Sequence, residues 1–154
     1  MNVMSPHSGP WSGFSAFQVF GDHLPMNGFC LVLRLVADRE RMTSLLSARG
    51  QVAPNLDPEL ARVTIRAGLG LVQTGTVQFA YANAEEAVVL VDPAVVQEPG
   101  SSLVVHDKLV STYAARATMI LGTELPVTGY VYEFPNKMVF RRALTAAQEN
   151  YEED

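Results

Sequence analysis

The feature that most constrains this chain is the run from Phe29 to Val36, FCLVLRLV, apolar except for Arg34 and rich in branched residues. Asn27-Gly28 precede it and charge follows it, the boundaries expected of a central β-strand about which a sheet is built. No segment of the sequence reaches the roughly 18 consecutive apolar residues of a membrane-spanning helix, so the chain is expected to be soluble, without a membrane partner. Its 154 residues, 48% hydrophobic and 18% charged, suffice for one domain with a core of its own. The single cysteine, Cys30, cannot close an internal disulfide and has no Cys/His companions at zinc spacing. A reducing cytoplasm fits this usage; a structural zinc does not. Eleven Lys plus Arg against sixteen Asp plus Glu give a net charge of −5, which works against sequence-independent attraction to a phosphate backbone.

Residues 1–15 lack a basic stretch followed by an apolar one, and their Ser, Pro, Gly and His content reads as a flexible arm. Trp11, Phe14, Phe17 and Phe20 recur every three residues, which places them along one helical face packed against the domain. Residues 16–149 are expected to form a single α+β domain and 150–154 an acidic, frayed tail. After the first strand, Asp38 stands before RERMTSLLSA, a short helix with Met42, Leu45 and Leu46 on one side. Asp57-Pro58 begins a second helical stretch carrying apolar residues through to Gly75, with Gly68 and Gly70 weakening it or admitting a close neighbour. TVQFAYA and EEAVVLV follow as a hairpin. A long helix runs from about Ser102, capped by Ser101 or Ser102, to Leu121. YVYEF is the last strand, and Asn136 caps a final helix.

The order strand, helix, strand, strand, helix, strand is that of a ferredoxin-like βαββαβ domain, an antiparallel sheet with helices on one face. Such an architecture hosts many functions, so a function has to come from a site. Among the functions this architecture hosts, palm-type nucleotidyl transferases hold two metal ions with one carboxylate near the end of the first strand and one at the hairpin. The hairpin offers Glu85 and Glu86, of which only one can address a given sheet face. The first strand ends Leu35-Val36-Ala37, and its nearest carboxylates, Asp38 and Glu40, come after it. Arg39, Arg41, Arg49, Arg62 and Arg66 read as a solvated face, and Arg141-Arg142 as surface pairing beside the acidic tail. His106 and Asp107 are adjacent in the sequence but diverge on a helix, so both read as surface residues.

Taken in series, four segments resemble the tRNA-His guanylyltransferase family. Members read approximately VRIDGR on the first strand, QG then AYxQSDEISLLL across the hairpin, KxxSxxAS on a helix, and FDARVFxLPN before a helix ending WRQxD. The corresponding text here is LRLVAD, QTGTVQFAYANAEEAVVLV, DKLVSTYAARAT and VTGYVYEFPN. The resemblance covers Leu31 to Gln148 and implies a palm domain. It also implies magnesium and GTP as cofactors, and a GMP-adding activity on the 5′ end of an RNA. Registered on Arg34, the family's first metal-binding aspartate falls on Val36 and the second on Glu85, with the neighbouring glutamate kept as Glu86. A metal here would draw on Glu85 and Asp38. The family's phosphate-contacting lysine and serine match Lys108 and Ser111, near the start of a helix where backbone N–H groups favour anions. The family's aspartate and arginine before the last helix are Thr128 and Tyr130 here, and the matched text stops short of the region the family uses for tRNA.

Three readings follow. The favoured one is a palm whose metal site has decayed, serving as a nucleotide-binding or regulatory subunit in a homo- or hetero-oligomer, because a two-metal clamp fails when one bridging carboxylate becomes an alkyl group. The second is an active magnesium-dependent nucleotidyltransferase. The third is an interaction module that dimerises through its sheet or an edge strand. A tRNA partner is disfavoured by the net charge and by the absence of that further region from the match.

Overall fold

The computed structural model describes residues 9–19, 28–38, 40–42, 44, 58–83, 86–122 and 124–153. The apolar run forms a strand at the centre of a five-stranded antiparallel sheet. In chain order the strands are β1 (Gln18–Val19), β2 (Cys30–Ala37), β3 (Val77–Ala82), β4 (Glu86–Val91) and β5 (Val127–Phe134), arranged β1-β5-β2-β4-β3. The helices are α1 (Pro58–Leu69), α2 (Ser101–Leu121) and α3 (Lys137–Glu153), with 3-10 turns at Gly9–Phe17, Gly70–Thr74 and Pro93–Val95. β5-β2-β4-β3 is the ferredoxin-like order, and the two-residue β1, which carries too short a pattern to be read in the sequence, extends its edge.

Strand alternation divides the interior into two layers. Leu31, Leu33 and Leu35 of β2, with Ala87 and Val89 of β4, meet Leu109 and Tyr113 of α2 and Ala67 of α1. This is the helix-covered face that the element order leads one to expect. The opposite face is covered as well. Val32, Val88, Tyr132 and Phe134 are sealed by Phe140 and Leu144 of α3 and by Trp11 and Phe14 of the first 3-10 turn. Trp11 is 4% exposed and Phe14 fully buried, so within the stretch 1–15 expected as an arm the chain is packed against the domain from Trp11. The three-residue aromatic spacing matches the 3-10 period, which stacks positions i and i+3 on one side. Phe14 meets Trp11, Tyr132 and Phe134 edge-on, with ring centroids 5.1, 5.1 and 5.3 Å apart. At the other end α3 continues as helix to Glu153, through most of the stretch expected as a tail.

Several termini follow the local chemistry. Asp38 caps a helical turn by accepting from the N–H of Glu40 (3.0 Å) and Arg41 (3.4 Å); residues 39, 43 and 45–48 of that expected helix lie outside the described residues. Asn136 accepts from the N–H of Val139 at 2.9 Å and starts α3. α2 differs: Gly100, at φ 83°, precedes it without a side-chain cap, and Ser101 instead donates to the Glu98 carbonyl. α1 stops at Leu69, six residues short of Gly75, because the chain tightens into a 3-10 turn there. The close-neighbour reading of its glycines holds at Gly68, where a Cβ would stand 2.8 Å from that of Ala87 and 3.0 Å from that of Ala82.

Candidate functional site

The row of the sheet that holds Val36, the position where the resemblance places one metal-binding carboxylate, is formed by Glu86, Val36 and Thr128. Val36 stands opposite Glu86 on β4 and opposite Thr128 on β5. The next row on the same face holds Val88, Arg34 and Tyr130. Arg34 and Glu86 are therefore diagonal neighbours, and the Arg34 Nε donates to the Glu86 carboxylate at 2.5 Å. Their side chains are 7% and 2% exposed. The guanidinium carbon lies 4.5 Å from the centre of the Trp11 ring and 5.8 Å from that of Tyr130, so aromatic faces screen the cation from water.

The hairpin leading into this row is held by Asn83. Its N–H donates to the Glu86 carbonyl, and its side-chain oxygen accepts from the Glu86 N–H, both at 3.0 Å. Thr64 of α1 donates to the Asn83 carbonyl at 3.3 Å. Glu86 thus has both its backbone and its carboxylate fixed before any ligand arrives. The surroundings register the pair: burial raises the Tyr132 hydroxyl to about 12 despite the nearby Arg34, and burial together with Glu86 raises that of Tyr113.

Three of the four residues expected to serve a metal or a nucleotide are among the described residues. Glu85 lies outside the described residues. Asp38 is exposed just beyond the end of β2, with one carboxylate oxygen engaged as a helix cap and its N–H donating to the Pro126 carbonyl at 2.9 Å. Lys108 and Ser111 are exposed on α2, over the sheet face opposite the one that Glu86 addresses. They stand seven and ten residues after the first residue of α2, so the unpaired N–H groups of its first turn are not theirs. The Ser111 hydroxyl donates to the Asp107 carbonyl at 2.7 Å.

The described residues do not by themselves fit a two-magnesium clamp. Val36 offers an alkyl group at one position, and Glu86 is neutralised by Arg34. Among the described residues no three His, Cys, Asp or Glu side chains are grouped to hold a metal ion. Other expectations change in detail. His106 and Asp107 do meet, at 3.0 Å, and the second ring nitrogen of His106 lies 3.2 Å from the Gly129 carbonyl, which ties α2 to β5. Of the five arginines near the second helix, Arg41 donates to the Glu124 carbonyl at 3.2 Å, Arg62 and Arg66 are exposed on α1, and Arg39 and Arg49 lie outside the described residues. Cys30 is buried, and burial pushes its thiol up, as befits an inert core residue. What the sequence reading missed is the Arg34–Glu86 pair and its Trp11 cover. The available signal was a lone arginine in an apolar strand facing a strand that opens with glutamate.

No protein-family model and no curated protein matches the chain. Solved structures do. The tRNA(His) guanylyltransferase of Saccharomyces cerevisiae matches with a TM-score of 0.64 at 9% identity, over 82% of this chain and 59% of that one. A bacterial tRNA(His) guanylyltransferase-like protein in complex with GTP matches with a TM-score of 0.58 at 12% identity, over 75% of this chain and 58% of that one. The same kind of protein in complex with ATP gives 0.58 and 12%, over 75% and 53%. The fold expected from the ordered series of segments is the fold found, and the chain spans a little over half the length of the structures it matches. Among the described residues no helix is long and apolar enough to cross a membrane.

Proposed function

We propose that this chain is a palm domain of the tRNA-His guanylyltransferase type that does not carry out two-metal nucleotidyl transfer and acts as a nucleotide-binding or regulatory subunit. The observation that carries this reading is the Arg34–Glu86 pair beside Val36. Two-metal transfer depends on carboxylates that bridge the ions. Here an alkyl group takes one such position, and a guanidinium both neutralises the neighbouring carboxylate and repels a cation. Lys108 supplies a point charge suited to a phosphate, with Ser111 one turn away on the same exposed side of α2. The GTP and ATP complexes of the fold neighbours support a purine nucleoside triphosphate as the ligand, and any such binding is expected to be independent of magnesium.

Equilibrium urea unfolding of the unmodified chain, Glu86→Gln, Arg34→Met and the double variant, with and without millimolar magnesium, tests the assignment. Breaking a buried pair leaves one charge uncompensated, so each single change is expected to lower stability by about 3 kcal/mol, and the double change by much less than the sum. Magnesium is expected to leave all four unchanged. A magnesium-dependent gain in the unmodified chain that disappears in Glu86→Gln would overturn the reading, because Glu86 would then belong to a cation.

A further inference from the structure

The charges of α3 are arranged against the helix that carries them. Lys137, Arg141 and Arg142 stand in its first two turns, and the acidic residues of its ENYEE end stand in its last, the reverse of what the helix dipole favours. Lys137 and Arg141 are four residues apart and repel along the helix surface. No oppositely charged pair lies three or four residues apart to offset this. Arg141, Arg142 and Glu149 are exposed and make no ion pair among the described residues; the side chains of the acidic tail beside which Arg141 and Arg142 were expected to pair lie outside them.

The same arrangement is complementary to itself when reversed. Met138, Arg142, Thr145 and Glu149 recur at spacings of four, three and four along the side of α3 opposite the buried Phe140, Leu144 and Ala147. All four are exposed, and Met138 is 63% exposed despite being apolar. Their mean spacing is that of a seam along which two helices can run side by side. We infer that this face of α3 is an interface between two copies of the chain, paired antiparallel about a two-fold axis between Thr145 and Ala146. About that axis Arg142 of each copy falls opposite Glu149 of the other, the basic end of each helix lies along the acidic end of its mate, and the small Thr145 and Ala146 side chains let the backbones approach. The two-fold axis makes each contact occur twice. This inference does not rest on the functional reading given above.

One helix face covers less than the roughly 800 Å² per partner of a standard stable interface, so the expected dimer is weak, with a dissociation constant of about 10 to 100 μM, and salt-sensitive. Sedimentation equilibrium of the full chain at low and high salt reads it directly. Raising the salt from about 0.01 to 1 M shortens the screening length from roughly 30 to 3 Å and should weaken the dimer at least several-fold. Arg142→Glu alone, or Glu149→Arg alone, places like charges opposite each other twice and should weaken it by about tenfold or more. The double variant Arg142→Glu/Glu149→Arg restores both contacts and should restore the dimer. Circular dichroism and thermal melts of each variant establish that the folded chain is being compared. A monomer at every concentration up to about ten times the expected constant overturns the inference. So does a dimer that both single variants leave intact, or one that the double variant fails to rescue.

Discussion

Tyr113 is fully buried between α1, α2 and β4, and its hydroxyl has no hydrogen-bond partner among the described residues. A buried donor left unsatisfied carries a penalty, so Tyr113→Phe is expected to raise stability by about 1 kcal/mol in urea unfolding. A loss would mean that the hydroxyl has a partner. The phenols also set an alkaline limit. Tyr113 and Tyr132 both titrate above their ordinary value of 10.0 in the folded chain, Tyr132 at about 12, so the unfolded chain gives up these protons first. The stabilisation this represents is complete below about pH 10 and is lost as pH rises toward 12 and beyond. Stability measured across that range should fall, and less steeply in Tyr113→Phe; equal slopes would contradict the account. Single residues whose role is local were legible in the sequence: Asp38 and Asn136 cap because side-chain oxygen and backbone N–H are two or three residues apart. The Arg34–Glu86 pair spans 52 residues and becomes visible only once the register of β2 and β4 is known.

At the scale of elements, apolar runs and stripes bounded by turn and cap residues identified β2 to β5 and the three helices. They failed where an element is shorter than its own period, as in β1, and where composition competed with spacing. The Pro, Gly and Ser content of residues 9–13 argued for an arm while the spacing of Trp11, Phe14 and Phe17 argued for packing, and the aromatic burial prevailed. Gly68 shows how one position governs the seating of an element. An alanine there would gain up to about 1 kcal/mol of helix propensity. Its methyl group would also meet the Cβ atoms of Ala87 and Ala82, which are fixed to the sheet backbone and cannot swing aside. Gly68→Ala is therefore expected to destabilise the chain by about 1 to 3 kcal/mol, measured by urea unfolding. A stabilised variant would show that α1 has room to lift from the hairpin.

For the whole molecule, the order of elements and the ordered series of four segments led to the palm-like fold although no single motif is intact, since an arrangement survives substitutions that erase a site. The candidate site was less legible because it depends on which sheet face each carboxylate addresses and on what covers that face. The sequence reading assigned helices to one face, while α3 and the first 3-10 turn close over the other and bring Trp11 onto Arg34. The central proposal is that a face sealed in this way, with the carboxylate of Glu86 already neutralised by Arg34, has no use for magnesium. It is tested most directly by thermal-shift titration with GTP and with ATP, each with and without magnesium, because a ligand that binds only the folded state must raise its apparent stability. The account predicts that any shift is the same with and without magnesium and is lost in Lys108→Ala. A shift that requires magnesium would contradict it.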